Sequence, residues 1–408
     1  MAEPARRRVV VTGLGAISSL GIGARPFIDG IKAGRSGISP IESFDRTGFP
    51  RSNAGEVRGF EPEKLLHNIS PAEWGRSAQF AAAAARLAVE DSGLDPELLA
   101  VSRAGSSMGT TNGESSVVDK LTEQWVQDGP GRLTPELVAQ VPAGRISAAV
   151  NTELGLTGEA QTIGTACSAS NYALGYGYDQ VSLGDSDYMI CGGADSVNRS
   201  THAGFYRLGS IAAEVSRPFD AERDGILTAE GGVALLLEPL DAALERGARI
   251  YAEVLGYAVN CDADHMVHPH RGSIAECIRQ AHHNSGVVPE DVDYVCAHGT
   301  GTQVNDSTEV GAVREVFGDR MPPVSSIKSM LGHTMGAAAG FGALVCCAAI
   351  HEGFLPPSAT VRKVDPALGS DLDCVPGQAR KASPRVVENH GFAFGGNNAI
   401  VMLAEVNR

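Results

Sequence analysis

An α/β protein with buried sheets is predicted by three features of the sequence. Short β-branched runs alternate with alanine-rich helical stretches along the chain, apolar residues make up 43% against 20% charged, and no segment is compositionally biased. At 408 residues the chain suffices for two ordinary domains or one large two-lobed one, with a sizeable core in either case.

Residues 9–12 read as the first strand, and residues 79–92, with their run of alanines and a stop at Gly93, as a helix. Residues 188–191, 233–238, 252–257, 294–297 and 399–404 read as further strands, with helices at 273–285 and 307–317 between the later ones. Both halves thus repeat a strand–helix rhythm. The stretch 238–249 reads as a connection, which divides the chain near residue 250 into segments 1–250 and 251–408. Gly-Gly pairs at 192–193, 231–232 and 395–396 mark tight turns or close backbone approaches.

The formal charge of −15 argues against nucleic acid as the main partner, because phosphate binding needs a basic surface. No run approaches the ~18 apolar residues of a membrane span; the best stretches, 341–350 and 9–20, are short or broken by glycine. Arg6-Arg7-Arg8 ahead of Val9-Val10-Val11 faintly imitates a signal peptide, but Thr12-Gly13-Leu14-Gly15 follows at once without a cleavage-like site. The eight cysteines show no Cys-x-x-Cys spacing, so free thiols in a reducing cytoplasm are expected, with Cys346-Cys347 in core packing.

Four motifs carry chemistry. Cys167, in Thr-Ala-Cys-Ser-Ala-Ser, precedes a stretch compatible with a helix beginning at the cysteine; there the dipole and free N–H groups lower a thiol pKa and favour thiolate. A buried structural cysteine is the alternative, and it suits the other seven. His298, in His-Gly-Thr-Gly-Thr, closes a strand, so a turn there presents the imidazole to a cleft while Thr300 and Thr302 offer hydroxyls. His333, in Gly-His-Thr-Met-Gly-Ala-Ala-Ala-Gly, follows Lys328 by five residues and opens a small-residue run suited to a closely packed central helix. In Gly-Phe-Ala-Phe-Gly-Gly-Asn-Asn at 391–398, the backbone can bring an N–H to an oxyanion while a phenylalanine closes a pocket. Each of the last three has a purely structural alternative.

Two further patterns are set aside. Gly13-Leu14-Gly15-Ala16-Ile17-Ser18 begins like a dinucleotide-binding fingerprint, but Ser18 stands at the third glycine. His265, His268 and His270 suggest a metal, yet the loop has no clear distal ligand.

Together the motifs resemble the elongating β-ketoacyl-ACP synthases of fatty acid and type II polyketide synthesis, from Val-Val-Val-Thr-Gly-Leu-Gly-Ala-Ile-Ser at 9–18 to the glycine-rich segment at 391–398. The resemblance implies a thiolase-like fold: two similar halves, each with a mixed five-stranded sheet, stacked as five α/β/α/β/α layers, and a dimer. It implies that Cys167 takes the acyl chain from an acyl carrier protein as a thioester, while His298 and His333 promote decarboxylation of the malonyl thioester. The N–H groups of Cys167 and Phe394 would form the oxyanion hole, with Phe394 as gate and Phe392 beside the substrate. Lys328 and Glu309 would organise the histidines, and Thr300 and Thr302 would follow the phosphopantetheine arm of the carrier. Neither metal nor nucleotide is implied as a cofactor.

The chain departs from the family pattern at Ser170, at Gly301 and Gln303 in the first histidine motif, and at Ala393, all of them expected beside the pocket. Asn112 falls near a position that is often apolar at the acyl pocket, which favours a polar or unsaturated chain and hence a polyketide or polyene system over housekeeping fatty acid elongation. Lys64, Arg76, Arg132, Arg207 and Arg271 are scattered candidates for docking an acidic carrier. Their sparseness leaves room for a second, chain-length-factor-like subunit as well as for a homodimer. Cys167 with both histidines argues against a non-catalytic chain-length factor, and the lack of a cysteine in either histidine motif argues against a CoA-dependent thiolase.

Overall fold

The computed structural model describes residues 6–407. The main sheet has eleven strands: β1 Val9–Ser18, β2 Gly21–Ile22, β3 Ala104–Gly109, β4 Ala160–Ile163, β5 Tyr188–Asp195, β6 Gly231–Pro239, β7 Ala252–Cys261, β8 Tyr294–Cys296, β9 Val324–Ser325, β10 Val386–Phe392 and β11 Asn397–Ala404. Their order is β9-β8-β10-β11-β7-β1-β6-β5-β3-β4, with β2 on β1.

Two halves of like topology meet at the middle of this order. In β4-β3-β5-β6-β1 the first three strands are parallel and the next two antiparallel, and β9-β8-β10-β11-β7 repeats that scheme. The expected two five-stranded sheets are thus present but not separate, because Val9–Val11 of β1 pair with Ala252–Val254 of β7. Joining there satisfies main-chain groups that two buried sheet edges would leave unpaired.

The main helices are α1 Arg76–Ser92, α2 Arg145–Leu154, α3 Ala169–Leu183, α4 Arg199–Arg207, α5 Arg271–Ser285, α6 Gln303–Phe317 and α7 Ala338–Glu352. Helices α1 and α2 cover the outer face of one half, α5 and α6 that of the other, and α3 and α7 lie between, touching strands of both. This is the five-layered arrangement. Its middle layer explains the composition of α7, in which every residue from Ala338 to Ala349 is buried: a helix covered on all sides has no polar face. The stretch Met335–Glu352 has the length and hydropathy of a membrane span, more than the sequence suggested, but 83% of it lies inside the protein.

The first strand runs on through Ser18, where the sequence pattern expected it to end at residue 12. Gly13 and Gly15 are strand residues on which α1 lies directly: a Cβ would come within 2.1 Å of the Ala88 carbonyl oxygen at Gly13 and 1.9 Å of that of Ala84 at Gly15. Close packing accounts for this glycine pair. The pairs 192–193 and 231–232 likewise sit in strands β5 and β6, while Gly395 and Gly396, with φ of 90° and 79°, form a true turn.

Candidate active site

The sequence Ala166-Cys167-Ser168 forms a 3-10 turn between β4 and α3, preceded by Thr165 and entered through Ala166 in a left-handed conformation, φ 51°. The other half repeats the device. Met335, φ 52°, opens the turn Met335–Ala337 between β9 and α7, two residues after His333. Cys167 and His333 therefore lie on matching connections into the two central helices, which bring them together across the junction of the halves.

Cys167, His298, His333, Thr300, Thr302, Phe392 and Phe394 line one cavity of about 340 Å³. The imidazoles of His298 and His333 stand edge to face, ring centres 5.4 Å apart, and Phe392 packs against His298 at 5.9 Å. Phe394 is 37% exposed and rests on Phe205 at 5.5 Å, at the mouth. Gly395 donates to the Met266 carbonyl at 2.8 Å, and Asp262 to that of Gly396 at 2.9 Å, so the glycine-rich loop is tied to the histidine-rich one. In that loop His265 and His268 stack at 4.1 Å on the cavity rim, while His270 caps α5 by accepting from the Ser273 N–H at 3.2 Å.

Hydrogen bonds assign the tautomers of both catalytic candidates. The Met335 N–H donates to His333 Nδ1 at 3.1 Å, which leaves the proton on Nε2. Lys328 Nζ donates to the His298 carbonyl oxygen and faces His298 Nδ1 at 3.4 Å, which makes that nitrogen an acceptor too. Burial, then the Lys328 charge, holds both imidazoles well below the usual histidine range. The site therefore carries two neutral Nε2–H donors.

Glu309, fully buried on α6, accepts from the N–H groups of His298 at 2.8 Å and Gly299 at 2.7 Å, and so fixes the turn that carries the first imidazole. Asp306, one turn earlier, does the same for Thr300 at 3.0 Å and Gly301 at 3.2 Å. Thr302 caps α6 through the Asn305 N–H at 3.3 Å, and its hydroxyl lies 2.9 Å from that of Thr300.

Three expectations change. Burial pushes the Cys167 thiol up to about 11, outweighing Lys328 and the N–H groups of Phe394 and Cys167 that pull it down. A short helical turn at the surface favours thiolate, but a thiol 5% exposed loses more hydration than that dipole restores. Alkylation of Cys167 by iodoacetamide, followed by intact mass with Cys167→Ala as control, should accordingly be slow at pH 7 and climb about tenfold per pH unit toward 11. Asn112 is exposed on the loop after β3 and does not line the cavity, because a hydrated amide on a loop needs no buried partner. Ser170 is not beside the cavity either: it is buried and donates to the Gly336 carbonyl between the central helices, whereas Gln303 and Ala393 do line it.

Of the basic docking candidates, Lys64 pairs with Glu61 at 2.6 Å, Arg76 with Glu230 at 2.7 Å and Arg271 with Glu315 at 3.2 Å. Arg207 is exposed beside Leu208 on the cavity rim.

Residues the motifs did not announce complete the site. Asp195, at the end of β5, accepts from Thr110 Oγ1 at 2.6 Å, the Thr111 N–H at 2.8 Å and the Gly336 N–H at 2.6 Å. Behind Glu309 stands a buried His390, with Glu388 and His282 beyond it. The available signal was Glu388 and His390 on alternate positions of the strand, hence on one face.

The profile described as "Beta-ketoacyl synthase, N-terminal domain" matches residues 6–243, and "Beta-ketoacyl synthase, C-terminal domain" matches residues 251–362. The chain belongs to the β-ketoacyl synthase family. As such it is an acyltransferase of the β-ketoacyl-ACP synthase class with the thiolase-like fold. It is 36% identical to 3-oxoacyl-(acyl-carrier-protein) synthase 2 of Synechocystis sp., over 98% of each chain. It is 35% identical to the tetracenomycin polyketide synthase ketoacyl synthase alpha subunit of Streptomyces glaucescens, over 99% of this chain and 98% of that one. Among solved structures, the ishigamide ketosynthase/chain length factor superposes with a TM-score of 0.97 at 47% identity, covering 99% of this synthase and 100% of that chain.

Proposed function

We propose that this synthase is the ketosynthase subunit of a type II polyketide or polyene system, extending an acyl chain held on Cys167 with malonyl units delivered by an acyl carrier protein. The observation that carries the reading is the convergence of one thiol and two neutral Nε2–H imidazoles in a single cavity. The polyketide assignment rests on the 47% identity to the ishigamide ketosynthase/chain length factor, above the 36% to the Synechocystis 3-oxoacyl-(acyl-carrier-protein) synthase 2, since Asn112 no longer supports it.

In the first step Cys167 Sγ attacks the acyl thioester carbonyl, the carrier sulfur leaves, and the thiol proton ends on it. In the second, the C–C bond to the malonyl carboxylate breaks and carbon dioxide departs. The electron pair enters an enolate whose oxygen takes hydrogen bonds from His298 and His333 Nε2. The enolate carbon then attacks the Cys167 thioester. The resulting oxyanion lies on the N–H groups of Cys167 and Phe394, and collapse expels the thiolate, which takes up one proton. Lys328 and Glu309 hold the imidazoles, Thr300 and Thr302 contact the phosphopantetheine arm, and Phe392 and Phe394 shape and close the cavity. No step calls on a metal or nucleotide.

The reading includes residues 1–250 as the half with the nucleophile and 251–408 as the half with the histidines. It also includes a cytoplasmic location, in keeping with eight free cysteines, and a dimer, either with a second copy or with a chain-length-factor-like subunit. Housekeeping fatty acid elongation is the second reading, kept because the 36% identity to the Synechocystis enzyme matches the 35% to the tetracenomycin subunit. Intact mass after incubation with carrier proteins bearing different acyl chains tests it. An adduct is expected in the wild type and not in Cys167→Ala, lost as β-ketoacyl carrier on adding malonyl carrier protein. Preference for unsaturated or polyketide-like chains supports the first reading and for saturated chains the second, while an adduct that persists in Cys167→Ala overturns the assignment.

A further inference from the structure

A continuous run of buried ionisable groups leads from α5 to the first catalytic imidazole. His282 Nε2 meets Glu388 Oε1, Glu388 Oε2 lies 2.9 Å from His390 Nε2, and His390 Nδ1 lies 3.1 Å from Glu309 Oε1. That same Glu309 oxygen accepts from the His298 N–H, and its other oxygen accepts from Gly299. All four side chains are buried. None of the three beyond Glu309 has a part in the condensation as derived above.

The contacts of His390 specify its protonation. Each ring nitrogen faces a carboxylate oxygen, and a carboxylate only accepts. A neutral imidazole has one N–H and would set a lone pair against the other carboxylate; two donors require the imidazolium. Its pKa, raised to about 9 by Glu309 and Glu388 against the cost of burial, agrees. A cation between two buried carboxylates also sets the position of both, because it is a charge-assisted donor to each in a dry interior.

We propose that His390 is a positioning residue of the condensation: its ring, clamped between Glu388 and Glu309, fixes the carboxylate from which the His298–Gly299 turn hangs, and so aims His298 Nε2 at the developing enolate. Cys167 does not touch this run, which separates the two half-reactions. Chain loading uses the thiol and the oxyanion N–H groups, whereas malonyl decarboxylation uses the imidazoles. Loss of His390 therefore affects decarboxylation and spares loading. This rests on the role given to His298 above.

The test uses His390→Asn and, because removing one charge from a buried row can prevent folding, the double variant Glu388→Gln/His390→Asn, which removes an anion with the cation. Folding is followed by thermal melting, loading by intact mass, and decarboxylation by carbon dioxide release from malonyl carrier protein. Loading should stay within about twofold of wild type, while decarboxylation falls about tenfold to a hundredfold, the cost of a small misalignment. Wild-type decarboxylation should also decline above about pH 9, as His390 loses its proton. The charged or titratable groups around it are Glu309 on α6, Glu388 on its own strand, His282 on α5 through Glu388, and Lys328, His298 and Cys296 beyond. A limb that persists in the folded variants belongs to another group and overturns the proposal. Unchanged decarboxylation, or loading and decarboxylation reduced by one common factor, overturns it as well. If wild-type protein loads chains but releases no carbon dioxide, the role of His298 fails first.

Discussion

His333→Ala is expected to lower condensation by about 10²–10³ while leaving the Cys167 acyl adduct intact. The magnitude is that of removing one preorganised donor from a site where negative charge develops. His333 Nδ1 is occupied by the Met335 N–H, so Nε2–H is the only polar hydrogen the ring presents. Single-turnover assays of pre-acylated enzyme with malonyl carrier protein measure the loss. His333→Gln, which retains a donor near the Nε2 position, should recover part of it. The pH dependence supplies a second check. Burial first, and Lys328 next, disfavour protonation of both imidazoles, so the working neutral form persists as pH falls through 6.5. A condensation rate that halves near pH 6.5 would show that the imidazoles titrate like exposed histidines.

Gly336→Val should destabilise the protein by about 3 kcal/mol, although the change lies within a turn rather than at the active atoms. A Cβ at Gly336 would stand 2.4 Å from Thr110 Cα, 2.5 Å from Thr110 C and 2.6 Å from Thr111 N. All three are backbone atoms just after β3, and they cannot swing aside as a flexible side chain would. The Gly336 N–H is held by Asp195 at 2.6 Å and its carbonyl accepts from Ser170, so the turn cannot slide away without breaking buried hydrogen bonds. Urea unfolding with an unchanged m-value measures the loss. Activity should fall by more than the unfolded fraction, because the turn that must move includes Met335, whose N–H orients His333. By the matching of Ala166 with Met335, Gly336 occupies in the second half the place that Cys167 holds in the first. One copy of the turn exposes a side chain to the cavity, and the other has none and packs.

Much of the site was legible because its chemistry is local. Cys167, His298 and His333 stand in small-residue motifs at strand and helix ends, and such turns are encoded over a few consecutive residues. The glycine-rich loop before the last strand was legible for the same reason. Asn112 was misplaced because the path of a loop depends on what it packs against. At Cys167 the turn is encoded locally, whereas the burial to 5% exposure that pushes the thiol up comes from residues far along the chain. His390 and Glu388 went unread although their alternation is visible, because their partners, Glu309 and His282, lie 81 and 106 residues away. Gly13 and Gly15 resembled a nucleotide loop until the contact with Ala84 and Ala88 of α1 explained them.

The division follows the range of the forces. Periodicity, turn chemistry and the choice of one thiol and two imidazoles are written in neighbouring residues, and from these alone the α/β class, the family resemblance and the candidate reacting groups followed. The joining of the two half-sheets, the neutral state of the thiol, the Nε2–H tautomers and the buried row ending at His390 were decided by tertiary structure. Each depends on desolvation and on hydrogen-bond partners that only folding brings within 3–4 Å.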